Sequence, residues 1–179
     1  EGRPGIREYS AHFKETEYFR FYNSLMNDER LLDAMKAAGY TGEFYIHPAL
    51  SAQAVDFEGN EVIAVGKETT QYNEIFRKAS LMVTDYSSVA FDFAYLKKPI
   101  VYSQFDVDVF YHQHINKEGY FSYERDAFGP VCYDYEAAVN AILAQIESGC
   151  VMEEQYRQRV DQFFAYTDRK NCERVYQAI

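Results

Sequence analysis

The stretch SLMVTDYSSVAFDFAYLKKPIVY, residues 80–102, decides how this chain folds. An apolar run ends at Thr84 and Asp85. Ser87 and Ser88 follow, and then a segment with apolar residues at helical spacing reaches Lys98. Pro99 opens a second apolar run. The residue before a proline is steered away from helical backbone, so the helix should stop there. The runs 81–84 and 99–103 are almost wholly apolar, as expected of strands covered on both faces. The pattern is strand, turn, helix, strand, and it places Thr84, Asp85, Ser87 and Ser88 together beyond the end of a buried strand.

The same alternation extends outward. Short strands are expected at 43–47, 61–65 and 130–133. Residues 18–40 have helical periodicity and end at Gly39, a helix-terminating position. A helix with a threonine cap is expected over 69–80. Asp134 should cap another that closes at Gly149, and two more should occupy 151–164 and 169–179. Strands alternating with helices imply one α/β domain over residues 1–179, a parallel sheet with helices on both faces, with the helices of 150–179 packing on it.

Composition narrows the function. The chain has 179 residues, 47% of them apolar, enough for one ordinary core. It carries 17 Tyr and 14 Phe but no Trp. The net charge of −10 argues against nucleic acid as a partner, since that needs a basic face. It leaves a nucleotide open, because helix-start N–H groups can hold phosphate without lysines. Cys132, Cys150 and Cys172 are odd in number and lack CxxC spacing, which suggests reduced thiols in the cytosol. No apolar run reaches the length of a membrane span and no signal peptide is legible. The opening EGRPGIREYS reads as the tail of a loop.

In parallel α/β sheets, ligands sit beyond the carboxyl ends of the strands. Four strands should deliver polar residues there: His47, Gly66, the Asp85–Ser88 knot, and Ser103 with Gln104 and Asp106. Two hydroxyls beside a helix start make a compact anion cradle, and diphosphate suits such a corner. The plain alternative is that one serine caps the helix and Asp85 turns the chain. His47, held by Pro48, could donate to phosphate or neutralise it. Asp106, Asp108, His112 and His114 invite a metal. Nothing fixes a ligand count, however, so a solvent-exposed loop with no metal is the preferred reading. Neither a GxGxxG nor a Walker loop is present, and Ser87 lacks the G-x-S-x-G setting of a nucleophile.

The segment VTDYSSVAFDFAYLKKPIVY resembles the hallmark of the CDP-glycerol glycerophosphotransferases, the teichoic-acid primases and polymerases. FYIHPAL, GYFSYERDAFGPVCYDYEAAVNAI and FFAYTDRKNCERVYQAI are similar to further segments of that family, in the same order. The resemblance implies the C-terminal, donor-binding half of a GT-B fold, Rossmann-like, with the acceptor-side domain outside this chain. It implies transfer of glycerol phosphate from CDP-glycerol, or another CDP-polyol, to a lipid-linked acceptor, with no cofactor, on the cytoplasmic face of the bacterial membrane. By position it makes His47 a catalytic, pyrophosphate-binding residue. Ser87 and Ser88 become phosphate ligands, shaped by Thr84 and Asp85, and Asp92 and Asp168 further donor contacts. Arg169 and Cys172 depart from the family's usual Gly and Ser, and Phe128 from the usual Pro of its PGP. A nucleotide-sugar glycosyltransferase of the same fold, or a non-catalytic module of a wall-building protein, remains open.

Overall fold

The computed structural model describes residues 8–66, 71–113 and 119–179, and only the backbone of 111–113. Its strands are β1 (Gly42–Phe44), β2 (Ile63–Val65), β3 (Met82–Thr84), β4 (Ile100–Ser103) and β5 (Val131–Cys132). All the pairings are parallel. Met82 lies opposite Ile100, Thr84 opposite Tyr102, and Ser103 opposite Cys132. The ladders form two groups, β1–β2 and β3–β4–β5, rather than one continuous sheet among the described residues. Each strand is shorter than the sequence suggests; β1 ends at Phe44, not at His47.

The helices are α1 (Glu17–Met26), α2 (Glu29–Ala38), α3 (Tyr72–Lys78), α4 (Val89–Tyr95), α5 (Val107–Gln113), α6 (Tyr123–Asp126), α7 (Tyr135–Glu147), α8 (Glu154–Phe163) and α9 (Asn171–Ala178). The helix expected over 18–40 is two. Asp28 breaks it because its carboxylate accepts the Arg30 and Leu31 N–H groups, capping a new helix. Gly39 ends α2 at φ +73°, and Asp134 caps α7 through the Ala137 N–H, both as expected. α3 begins only at Tyr72, where Gln71 makes no capping bond; Thr69 and Thr70 lie outside the described residues. A 3-10 segment, Pro48–Asp56, which carries no helical periodicity in the sequence, joins β1 to β2.

Alternation along the strands divides the core in two. Val83 and Val101 face one cluster with Phe21, Leu25, Leu31, Val139 and Ile142, from α1, α2 and α7. Met82, Ile100 and Tyr102 face the other with Phe76, Phe93, Phe128 and Val160, toward α3, α4 and α8. Helices therefore cover both faces, and β4 is buried along its whole length. Phe128, where a proline was the expected residue, is 1% exposed and packs edge-on against Phe91 and Phe163. Lys98 fixes the end of α3, its ammonium donating to the carbonyls of Phe76, Arg77 and Ala79 at 2.7, 3.2 and 2.6 Å.

Candidate functional site

Thr84 ends β3, and its carbonyl accepts the Ser103 hydroxyl at 3.2 Å. Asp85 then turns the chain: its Oδ1 accepts the N–H groups of Tyr86 at 2.7 Å and Ser87 at 3.2 Å. Burial pushes the Asp85 carboxyl up in pKa, against the pull of these bonds, and neighbouring Asp106 adds to the rise. Ser88 stands at the N-cap position of α4, but its backbone is already helical, at φ −63° and ψ −17°, and its side chain caps nothing. Neither the Ser87 nor the Ser88 hydroxyl makes a hydrogen bond among the described residues. The plain capping alternative is thus not what the fold contains, while the turning role of Asp85 is.

His47 lies three residues beyond β1, at the head of the 3-10 segment, and is exposed. Its Nδ1 accepts the Ala49 N–H at 3.1 Å. That bond requires a bare Nδ1, so the neutral ring carries its proton on Nε2 and offers a donor to solvent. No hydrogen bond links His47 to the 84–88 turn among the described residues.

Asp92 and Asp168 belong to a different corner. Asp92 is exposed on α4 and lines an open cavity of about 420 Å³ with Phe91, Tyr95, Phe163, Phe164 and Tyr166. Asp168 is tied to the Arg174 guanidinium by two bonds of 2.8 and 2.6 Å, which hold its carboxyl below the usual range, and it accepts the Lys170 N–H. Arg174 also lies 3.7 Å over the Tyr166 ring. Asp168 therefore braces the closing segment within its own loop.

The segment after β4 corrects the expectation of a loop. Residues 107–113 form α5, and Tyr86 anchors it, stacking on Phe110 at 3.6 Å and donating to Asp106 at 3.2 Å. His114 and the His112 side chain lie outside the described residues. Among those described, no three His, Cys, Asp or Glu side chains are grouped to hold a metal.

Sequence reading missed what α1 brings. Tyr22 bonds Ser103 Oγ at 3.1 Å inside the core, and Tyr18 packs on Tyr22 with ring centroids 4.8 Å apart. Burial raises the pKa of both phenols, and Asp85 and Asp106 raise them further. The available signal was their four-residue spacing, which places both on one helix face.

Parallel pairing, helices on both faces and polar groups beyond the strand ends define the class, a Rossmann-like α/β domain. Within it, residues 3–179 match the model of the CDP-Glycerol:Poly(glycerophosphate) glycerophosphotransferase family, and the chain belongs to that family. It is 41% identical over 175 residues to the minor teichoic acid biosynthesis protein GgaB of Bacillus subtilis, covering 98% of this chain and 19% of that protein. It is 26% identical to the teichoic acid poly(ribitol-phosphate) polymerase of Bacillus spizizenii, covering 96% of this chain and 25% of that one. Its fold matches the wall teichoic acid polymerase TagF, solved as H444N with CDPG, at a TM-score of 0.56 and 18% identity, over 88% of this chain and 49% of that one. The chain thus spans a quarter or less of those two relatives and about half of the solved structure.

Proposed function

We propose that this chain is the donor-binding half of a polyol-phosphate transferase. It holds CDP-glycerol, and the whole enzyme hands glycerol phosphate to a hydroxyl of a lipid-linked acceptor carried mainly by a second domain. The family membership supports this, as do the teichoic-acid names of the relatives and the CDPG in the solved TagF. The observation that carries it is the pair of serine hydroxyls that have no hydrogen-bond partner among the described residues, in a turn that Asp85 ties down beyond β3.

The acceptor oxygen attacks the β-phosphorus in line. A new O–P bond forms as the bond from that phosphorus to the bridging oxygen breaks. CMP leaves with the electron pair, and the acceptor's proton passes to a base on the other domain. This chain contributes placement and neutralisation of charge. The Ser87 and Ser88 hydroxyls donate to the diphosphate, and His47 Nε2–H donates to a developing oxyanion. Thr84 and Asp85 fix the turn. The enzyme works at the cytoplasmic face of the membrane; no described helix is long and apolar enough to cross it.

Calorimetric titration with CDP-glycerol, CDP-ribitol and a UDP-sugar tests this. Binding of a CDP-polyol is expected. Selective binding of the UDP-sugar would move the chain to the nucleotide-sugar transferases, and no binding at all would make it a non-catalytic module. Replacing both serines by alanine should weaken CDP-glycerol binding by roughly five- to a hundredfold through two lost hydroxyl contacts. The melting temperature should hardly move, because neither hydroxyl caps α4.

A further inference from the structure

Tyr22 and Tyr18 form a ladder that starts inside the core and climbs out of it. Ser103 Oγ has one proton, and Thr84 O can only accept, so that proton goes to the Thr84 carbonyl. The Tyr22 phenol must then be the donor to Ser103. This chain of two bonds pins α1 to the carboxyl ends of β4 and β3. The other end of α1 lies near the start of β2, where Asn60 Nδ2 donates to the Met26 carbonyl. The helix therefore runs against the strands, with its first turn beyond their carboxyl ends.

Tyr18 stands one helical turn above Tyr22 on the same face, a rise of about 6 Å. That rise carries it past the edge marked by Thr84 and Ser103, on the side where Asp85 and Asp106 follow their strands. Thr84 leads directly into Asp85, and Tyr86 donates to Asp106, so both acids stand at this edge; their charges add to the rise that burial causes in the Tyr18 pKa. Its ring is half-buried against Tyr22 and Phe13, and its hydroxyl makes no hydrogen bond among the described residues. A tyrosine hydroxyl this far out of water ordinarily finds a hydrogen-bond partner, as that of Tyr22 does.

The charge around the phenol selects its guest. Two carboxylates add acceptors at this edge. They suit hydroxyl groups, which can donate to a carboxylate and accept from a phenol. We infer that Tyr18 is a substrate-binding residue whose phenol, with Asp106 beside it, recognises a hydroxyl of the bound donor, next to but separate from the phosphate cradle at Ser87 and Ser88. The inference rests on the donor-binding reading above. The hydroxyl belongs either to the glycerol or to the ribose of the nucleotide.

Tyr18→Phe removes one oxygen and leaves the ring. Titrations of wild type and variant with CDP-glycerol, with CDP and with inorganic pyrophosphate test the assignment, each beside a melting curve. The variant should bind CDP-glycerol about tenfold more weakly or worse, at an unchanged melting temperature. Loss for CDP-glycerol but not for CDP places the hydroxyl on the glycerol; equal loss for both places it on the ribose. Tyr22→Phe serves as the contrast and should lower the melting temperature. Unchanged affinity of Tyr18→Phe for CDP-glycerol overturns the inference, and so does an equal loss for pyrophosphate, which would make Tyr18 a phosphate ligand. A wild type that binds no CDP-linked ligand removes the donor-binding reading and this inference with it, an outcome visible before any variant is compared.

Discussion

Asp85 shows how one side chain can be costly to the fold and still be retained. Its oxygen accepts two N–H groups, yet burial dominates and its folded pKa lies above the ordinary value of 3.8. The unfolded chain therefore gives up this proton first. Asp85 weakens folding as pH rises from about 4 through its folded pKa, and the cost persists above that. Asp85→Asn retains an acceptor for both N–H groups and removes the buried charge. Thermal melts should show the variant at least as stable as wild type at pH 7, with the difference shrinking toward pH 4. A large loss at pH 7 would mean that the carboxylate has a stabilising partner. The position of Asp85 was legible, because a polar knot after an apolar run has few other uses. The role of Ser88 was not: capping preference is local, whereas the helical backbone at Ser88 is set by the turn that Asp85 closes.

Among the elements, the turn after β3 is legible in the sequence, whereas the strand ends and the helix interruptions are not. Asp28 in the middle of a helical period looks like one polar residue on an exposed face; only its bonds to Arg30, Leu31 and the Tyr135 hydroxyl reveal a helix start. Those bonds hold its pKa at about 2, against 3.8 ordinarily. Since the folded value is depressed, the stabilisation is complete above about pH 4 and disappears as pH falls through about 2. Screening around the half-exposed Arg30 limits it to roughly 1–2 kcal/mol. Denaturant titrations of Asp28→Asn and wild type should differ by that much at pH 7 and converge near pH 2. Gly129 offers a sharper case. A Cβ there would lie 1.8 Å from the Ile100 carbonyl oxygen, because the chain entering β5 presses flat against β4. Gly129→Ala should cost about 3 kcal/mol or more, measured by chemical denaturation, since backbone on both sides leaves nothing to yield. No local pattern in FGP announces that contact; it exists only once β4 and β5 are paired.

For the molecule as a whole, alternation of strand and helix was enough to forecast the parallel α/β class, because both covered faces of β3 and β4 are written into their apolar runs. The split of the ladders into two groups was not, since the three-residue strands give no signal of where pairing stops. Nor did sequence place Asp92 with the closing segment, away from the serine turn, for that depends on Phe163 and Phe164 docking beside α4. The division of the core by the sheet makes the two sides separately observable. The chain has no tryptophan, so an indole introduced on either side is a fluorophore without background from its own kind. Phe19 packs against one cluster and Phe163 against the other. Phe19→Trp and Phe163→Trp would each report one face during urea unfolding, and coincident transitions are expected if β4, shared by both clusters, makes them melt together. Separated midpoints would instead reveal two cooperative units back to back, with the α8 side able to loosen while the face that carries Tyr18 and Tyr22 stays intact.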